Sequence, residues 1–118
     1  MKIIIKKITD STPAFEAYIE KKLFTLVKLI EPFEKEGETE IALDIVRTSR
    51  HHEKGEDIFM ASADLRLPKK VIRAEEYGDN MRLAVDRMRD ALKLEIEKYK
   101  AHFFEIDRKK LDKNKEEK

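Results

Sequence analysis

The chain has 118 residues, with 26 Lys and Arg against 25 Asp and Glu, so its formal net charge is only +1. This length suits a single domain with a core of its own. The absence of cysteine excludes a disulfide framework and a cysteine nucleophile, and it favours a reducing cytoplasm. No stretch has the roughly 20 apolar residues that span a bilayer. We therefore expect a cytoplasmic protein without a membrane partner, in which any polyanion binding depends on local segregation of charge.

The N-terminal third predicts a strand followed by an amphipathic helix. Residues 3–8 are a β-branched run that is typical of an edge strand. Thr12 and Pro13 are typical of an N-cap and a first helical position. Apolar residues then recur at spacings of three and four, which predicts a helix over residues 13–30 that ends before Pro32.

Alternating apolar and polar residues predict three more strands, at residues 40–47, 57–67 and 71–76. The polar stretch between the first two of them is typical of a hairpin loop. A second apolar stripe with helical spacing predicts a helix over residues 79–101, capped by Asp79.

Two amphipathic helices and four strands with one apolar face each predict an α+β two-layer sandwich. The element order is β-α-β-β-β-α, and both helices are expected to pack on one face of a four-stranded sheet. The domain is expected to occupy residues 1–104. Residues 105–118 are so charged that burial cannot offset their ordering entropy, so they are expected to be a disordered tail.

The sequence carries no pattern of a catalytic or metal site. The three glycines are dispersed, so there is no glycine-rich phosphate loop, and no serine stands in a G-x-S-x-G context. Adjacent His51 and His52 would point to opposite sides of a strand, which disfavours a shared metal ion. We predict no catalytic residue, no metal and no cofactor.

Basic residues follow helical spacing and are the most informative candidates for binding. In the second helix Arg82, Arg89, Lys93 and Lys100 share one face and Lys98 lies beside it; in the first, Lys21, Lys22 and Lys28 lie close together. Such rows suit a nucleic-acid backbone, because phosphates repeat along a strand. We expect Arg89 and Lys93 to be exposed and Leu92 to be buried. Interspersed acids leave open the alternative of ordinary ion pairs between residues four apart.

Four segments resemble the ribosome hibernation-promoting factors, also called ribosome-associated inhibitors or the sigma-54 modulation family. They are "TPAFEAYIEKKLFTLVKL", "RTSRHHEKGEDIFMASADL", "LRLPKKVIRAEEYGDNMRLAVDRM" and "EIEKYK". The third of these is the most specific. The similarity extends to about residue 101, and the element order also agrees with that family's domain.

The resemblance implies a non-enzymatic protein that binds ribosomal RNA of the small ribosomal subunit in the messenger and transfer RNA channel and blocks translation. Carried over by position, the RNA contacts are the basic residues of both helices named above and Arg73 of the "RAEE" motif; Arg50 and Lys54 are further candidates in the hairpin loop. Leu94 and Glu97 stand where the family usually has basic residues. The chain resembles the family's short form, which is expected to be a monomer off the ribosome.

Two other readings of the residues stay open. Double-stranded-RNA-binding domains also place two helices on one face of a sheet, although those domains begin with a helix and this chain begins with a strand. A protein–protein adaptor would use the mixed-charge helices as its interface.

Overall fold

The computed structural model describes residues 1–48 and 58–116, with side chains described for residues 1–48 and 58–102. Seven elements follow one another in these ranges. They are β1 (Lys2–Ile8), α1 (Pro13–Phe24), α2 (Val27–Glu34), β2 (Glu40–Thr48), β3 (Ile58–Leu67), β4 (Lys70–Gly78) and α3 (Met81–Glu116). The predicted strands all form, within two residues of their expected ends.

The strands form one sheet in the order β1-β2-β3-β4, with β1 parallel to β2 and the other pairs antiparallel. Alternation fixes the register, because Leu43 pairs with Ala63 and both point to the buried face. Arg73, by contrast, pairs with Asp64 on the other face, which the helices leave uncovered. We call this second surface the open face of the sheet.

Both helical regions pack on the same face of the sheet, as predicted. Leu23 of α1 and Leu92 of α3 are completely buried in one core with the odd-numbered residues of β2. Ala63 and its neighbour Ala61 let α3 approach the sheet closely, since a larger side chain would hold it away. The α+β two-layer architecture is therefore confirmed.

The predicted first helix is divided into α1 and α2, which corrects the expectation of one helix over residues 13–30. Thr12 caps α1 as predicted, and its hydroxyl accepts a 3.1 Å hydrogen bond from the amide of Phe15. The break follows Phe24, where the amide of Leu26 donates to the carbonyl of Leu23 at 2.9 Å. This bond spans three residues instead of four, so it tightens the turn locally.

Pro32 lies inside α2 instead of ending it, which is a second correction. Proline removes one backbone donor, to the carbonyl four residues earlier, and α2 continues to Glu34 before it ends. The donor that Pro32 lacks would reach the carbonyl of Lys28 in the first turn of α2, so the cost is one intrahelical hydrogen bond.

The N-terminus of α3 is capped by Asn80 and not by the predicted Asp79. The Asn80 side-chain oxygen accepts a 2.8 Å hydrogen bond from the amide of Leu83, and its carbonyl accepts from Ala84 at 3.1 Å. The helix continues to Glu116, beyond the expected end at residue 101. The division of the chain at residue 104 stays a prediction.

Candidate nucleic-acid interface

Two short rows of polar side chains face each other where α1 lies beside α3. Helical spacing of four and then three residues aligns Tyr18, Lys22 and Thr25 on α1 and its C-cap. The same spacing aligns Arg82, Asp86 and Arg89 on α3. We call these six residues the interhelical seam.

Asp86 is the acceptor at the centre of the seam. Its Oδ1 accepts a 2.5 Å hydrogen bond from the Tyr18 hydroxyl and lies 3.3 Å from Nζ of Lys22. These two contacts join α1 to α3 through a single carboxylate oxygen. The ion pair also restricts the Lys22 side chain, whereas a fully solvated lysine samples many rotamers.

Two cationic side chains lie over the ring of Tyr18. The guanidinium carbon of Arg82 lies 4.7 Å from the ring centroid, and Nζ of Lys22 lies 5.4 Å from it. Both distances fall within the range of cation–π attraction. The aromatic ring therefore orients cations that belong to different helices.

The charges of the seam stabilise its cationic state. The hydrogen bond and the Coulombic attraction to Asp86 raise the pKa of Lys22 above its ordinary value. The hydrogen bond to Asp86 also raises the pKa of the Tyr18 phenol, because ionisation would break that bond and place two anions together. These shifts in pKa favour the ammonium form of Lys22 and the neutral phenol of Tyr18.

Arg89 closes the far end of the seam and is less exposed than the sequence predicts. Its Nε donates to the Thr25 hydroxyl at 2.8 Å, and a terminal nitrogen lies 2.7 Å from Asp90, so its side chain is only 22% exposed. Thr25 in turn donates its hydroxyl proton to the Lys22 carbonyl at 2.6 Å. Arg89 therefore helps to pack the helices and is not a freely solvated charge.

Three other predicted contact residues are exposed and lack the ion pairs that hold Lys22 and Arg89 in place. Lys21, Lys28 and Lys93 make no ion pair with any other described residue. Lys98 differs, since its Nζ lies 3.5 Å from Glu95, and Lys100 is half-buried. Lys93 extends the α3 row of the seam by one further turn, because it follows Arg89 by four residues.

Arg73 lies apart from all of these residues. It projects from β4 on the open face, where its guanidinium lies 2.9 Å from Asp64 and 3.7 Å from Glu75. The hydrogen bond to Asp64 raises the pKa of Arg73. The structure thus separates this predicted contact from the helical cations by the thickness of the sheet. Arg50 and Lys54 lie outside the described residues, as do His51 and His52.

A family model described as "Sigma 54 modulation protein / S30EA ribosomal protein" matches residues 2–102. The chain belongs to this family. A solved ribosomal subunit interface protein from Coxiella burnetii is similar, with 26% identity and a TM-score of 0.67 over 86% of this chain and 99% of that chain. The N-terminal domain of Thermus thermophilus Protein Y shares the fold, with 23% identity and a TM-score of 0.64 over 84% of this chain and 99% of that one. Among proteins with curated descriptions, none matches the chain.

The membership confirms the resemblance drawn from the sequence, and it draws attention to two residues of this S30EA chain. Leu94 is 53% exposed on α3, and Glu97 is also exposed, three residues later. Both lie outside the seam, and neither adds positive charge to α3. The basic residues of α3 that precede Leu94 are Arg82, Arg87, Arg89 and Lys93.

Sequence reasoning missed three members of the seam, namely Tyr18, Thr25 and Asp86. Their spacing relative to Lys22, Arg82 and Arg89 was a usable signal, since each belongs to the same four-then-three pattern. Within the described residues of this S30EA domain, no cluster of His, Asp and Glu could hold a metal ion. The helices in these ranges are also too short or too polar to cross a membrane.

Proposed function

We propose that this chain is a non-enzymatic cytoplasmic factor that binds the small ribosomal subunit as a monomer. It occupies the messenger and transfer RNA channel and so inhibits translation. The observation that carries the proposal is the interhelical seam, in which Lys22, Arg82 and Arg89 line the junction of two helices. Family membership and the similar subunit interface protein from Coxiella burnetii support the ribosome as the partner.

The shape of the basic surface suits a polynucleotide better than a single anion. From Arg82 to Lys93 the α3 row rises about 16 Å, at about 1.5 Å per residue. Lys22 adds a second helix to this row, so the cations line a strip and not a point. Phosphates repeat along an RNA strand, and each one that a cation neutralises releases a counterion.

Inhibition in this proposal needs no chemistry. A domain bound along the RNA of the channel excludes messenger and transfer RNA by occupying their space. Its affinity then comes mainly from phosphate contacts, which salt weakens, so the inhibition is reversible by ionic strength.

The decisive experiment is sedimentation of the purified protein with small ribosomal subunits across a series of salt concentrations. If about five phosphates are neutralised, log K falls against log salt with a slope of about −3.5 to −4.5. Cell-free translation measured in parallel should fall as subunit occupancy rises. Protein that stays at the top of the gradient at low salt would refute the proposal. Comigration with a flat salt response would instead favour the protein–protein adaptor.

Two arginine variants form a matched pair because both residues are exposed and lie on opposite sides of the domain. Arg82→Gln should reduce the steepness of the slope by about 0.7 to 0.9, the contribution of one phosphate. Arg73→Gln should leave the slope unchanged if RNA contacts the helical side. A less steep slope for Arg73→Gln, with an unchanged slope for Arg82→Gln, would assign the RNA to the open face and remove the seam from the interface.

A further inference from the structure

Phe24 is the most exposed large apolar side chain among the described residues. It is 73% exposed at the C-terminal end of α1, whereas Leu23 beside it is completely buried. Exposure of this extent means that the ring contributes little to the core. A single exposed apolar residue is common on protein surfaces, so the surroundings of the ring decide whether it has a role.

Two exposed lysines flank Phe24 in the sequence. Lys21 precedes it by three residues on α1, so the two lie on one side of that helix, and Lys28 follows it by four residues, beyond the break, in the first turn of α2. Both lysines are exposed and make no ion pair with another described residue. Glu20 precedes Phe24 by four residues, so one acid stands beside Lys21 in the sequence, and a phosphate contact there depends on the lysine.

Tyr18, the aromatic residue of the seam, is not available for stacking in the same way. Tyr18 carries the Arg82 guanidinium at 4.7 Å and the Lys22 ammonium at 5.4 Å, and its ring lies 6.5 Å from that of Phe15. Its polar end is bonded to Asp86. Phe24 therefore provides an open aromatic face, and Tyr18 is a structural member of the seam.

We infer that Phe24 stacks on an unpaired RNA base, with Lys21 and Lys28 contacting the phosphates on either side of that base. An exposed ring next to unpaired cations is the combination that binds single-stranded nucleic acid, because every base has a stacking face. A base inside a duplex has both faces covered by its neighbours, so the site selects a loop, a bulge or a strand end. This inference rests on the proposed function and specifies which RNA the exposed residues at the junction of α1 and α2 contact.

The first test compares two variants of the ring in binding to purified small subunits. Phe24→Leu keeps apolar bulk but removes the aromatic face, and it should weaken binding by about 5- to 150-fold. Phe24→Tyr keeps the face and should bind like wild type. The salt slope should not change in either variant, since stacking releases no counterion, whereas Lys28→Gln should lower its steepness by about 0.7. Leu94→Ala is the control for an exposed apolar residue elsewhere on the domain.

The second test uses the absence of tryptophan from the chain. Phe24→Trp introduces a single tryptophan, which can be excited selectively over the three tyrosines. Its emission should be quenched when a short single-stranded oligouridylate binds, and not when an RNA duplex of the same length is added. Leu94→Trp should show no quenching with either probe.

The outcomes separate this inference from the function on which it rests. If wild-type protein fails to sediment with subunits, the proposed function is wrong. If wild type binds and Phe24→Leu binds equally well, the stacking inference alone is wrong. Weakened subunit binding by Phe24→Leu, combined with no quenching of Phe24→Trp by the single strand, would assign the ring to a ribosomal protein and also overturn the inference.

Discussion

Adjacent residues on α3 allow the scaffold and the binding surface to be perturbed separately. Leu92 is completely buried between α3 and the sheet, and Lys93 is exposed on the neighbouring side of the helix. Leu92→Ala removes buried carbon atoms and leaves a cavity, which costs about 2 to 5 kcal/mol of unfolding free energy. Lys93→Ala removes a solvated charge and inserts a good helix former, so it should cost less than about 0.5 kcal/mol.

These costs convert into melting temperatures. The 118-residue chain has an unfolding entropy of about 0.25 kcal/mol/K, taking roughly 2.1 cal/mol/K per residue. Leu92→Ala should therefore lower the melting temperature by about 8 to 20 °C, and Lys93→Ala by less than about 2 °C. The salt slope of subunit binding should show the opposite pattern. It should become less steep by about 0.7 to 0.9 for Lys93→Ala and stay unchanged for Leu92→Ala measured below its melting temperature.

Circular dichroism melting and the sedimentation series together check both halves of this prediction. A Leu92→Ala protein that melts within about 3 °C of wild type would contradict the packing of α3 on the sheet, because Leu92 is completely buried and no side chain described in α3 is more so. An unchanged slope for Lys93→Ala would remove Lys93 from the RNA contacts and restrict the α3 row to the seam. Lys93→Glu is a less suitable variant, since it adds a like charge four residues before Glu97.

Three further predictions follow from single contacts. Gly78→Ala should destabilise the fold by about 1 to 3 kcal/mol in chemical denaturation, because the added Cβ would lie 2.7 Å from the backbone nitrogen of Ala84 and α3 would have to shift. Thr12→Ala should cost about 1 kcal/mol through loss of the α1 cap, measured by the same denaturation. Stability of the wild type should fall as pH rises above the ordinary tyrosine value of 10.0: the pKa of Tyr18 is raised in the folded state, so the unfolded chain loses its phenolic proton first. Tyr18→Phe should lack this part of the fall, and an identical alkaline profile for both proteins would contradict the bond to Asp86.

Local periodicity was sufficient to predict the sheet and the packing face of each helix. Alternation in β2 places Leu43 toward the core, and helical spacing does the same for Leu92; both residues are fully buried. The break between α1 and α2 was not predictable in this way. No glycine or proline separates Phe24 from Val27, and the break depends on a hydrogen bond that spans three residues instead of four. Pro32 was the residue in the sequence that predicted the end of the helix, but it lies inside α2.

The sequence predicted which basic residues of α3 lie on the same side of the helix, but not which residues of α1 and α3 contact each other. Spacing placed Arg82, Arg89 and Lys93 on one side of α3 from the sequence alone. The bond between Tyr18 and Asp86 joins residues 68 positions apart, and it depends on how two helices are placed on the sheet. The position of Arg73, in contrast, was predictable from the sequence. It follows buried Ile72 in β4, and neighbouring residues of a strand point to opposite faces, so Arg73 lies on the open face.

The seam also shows how the proposed RNA surface is compatible with a net charge of only +1. A solvated lysine or arginine loses up to about 2 kcal/mol of side-chain entropy when a phosphate fixes it. Lys22 and Arg82 are already held by Asp86 and by the Tyr18 ring, so less of that entropy remains to be lost on binding. The carboxylate cancels one charge, but in exchange it orients two cations and joins the helices that carry them. Position and preorganisation, more than total charge, therefore determine whether this surface can bind a phosphate backbone.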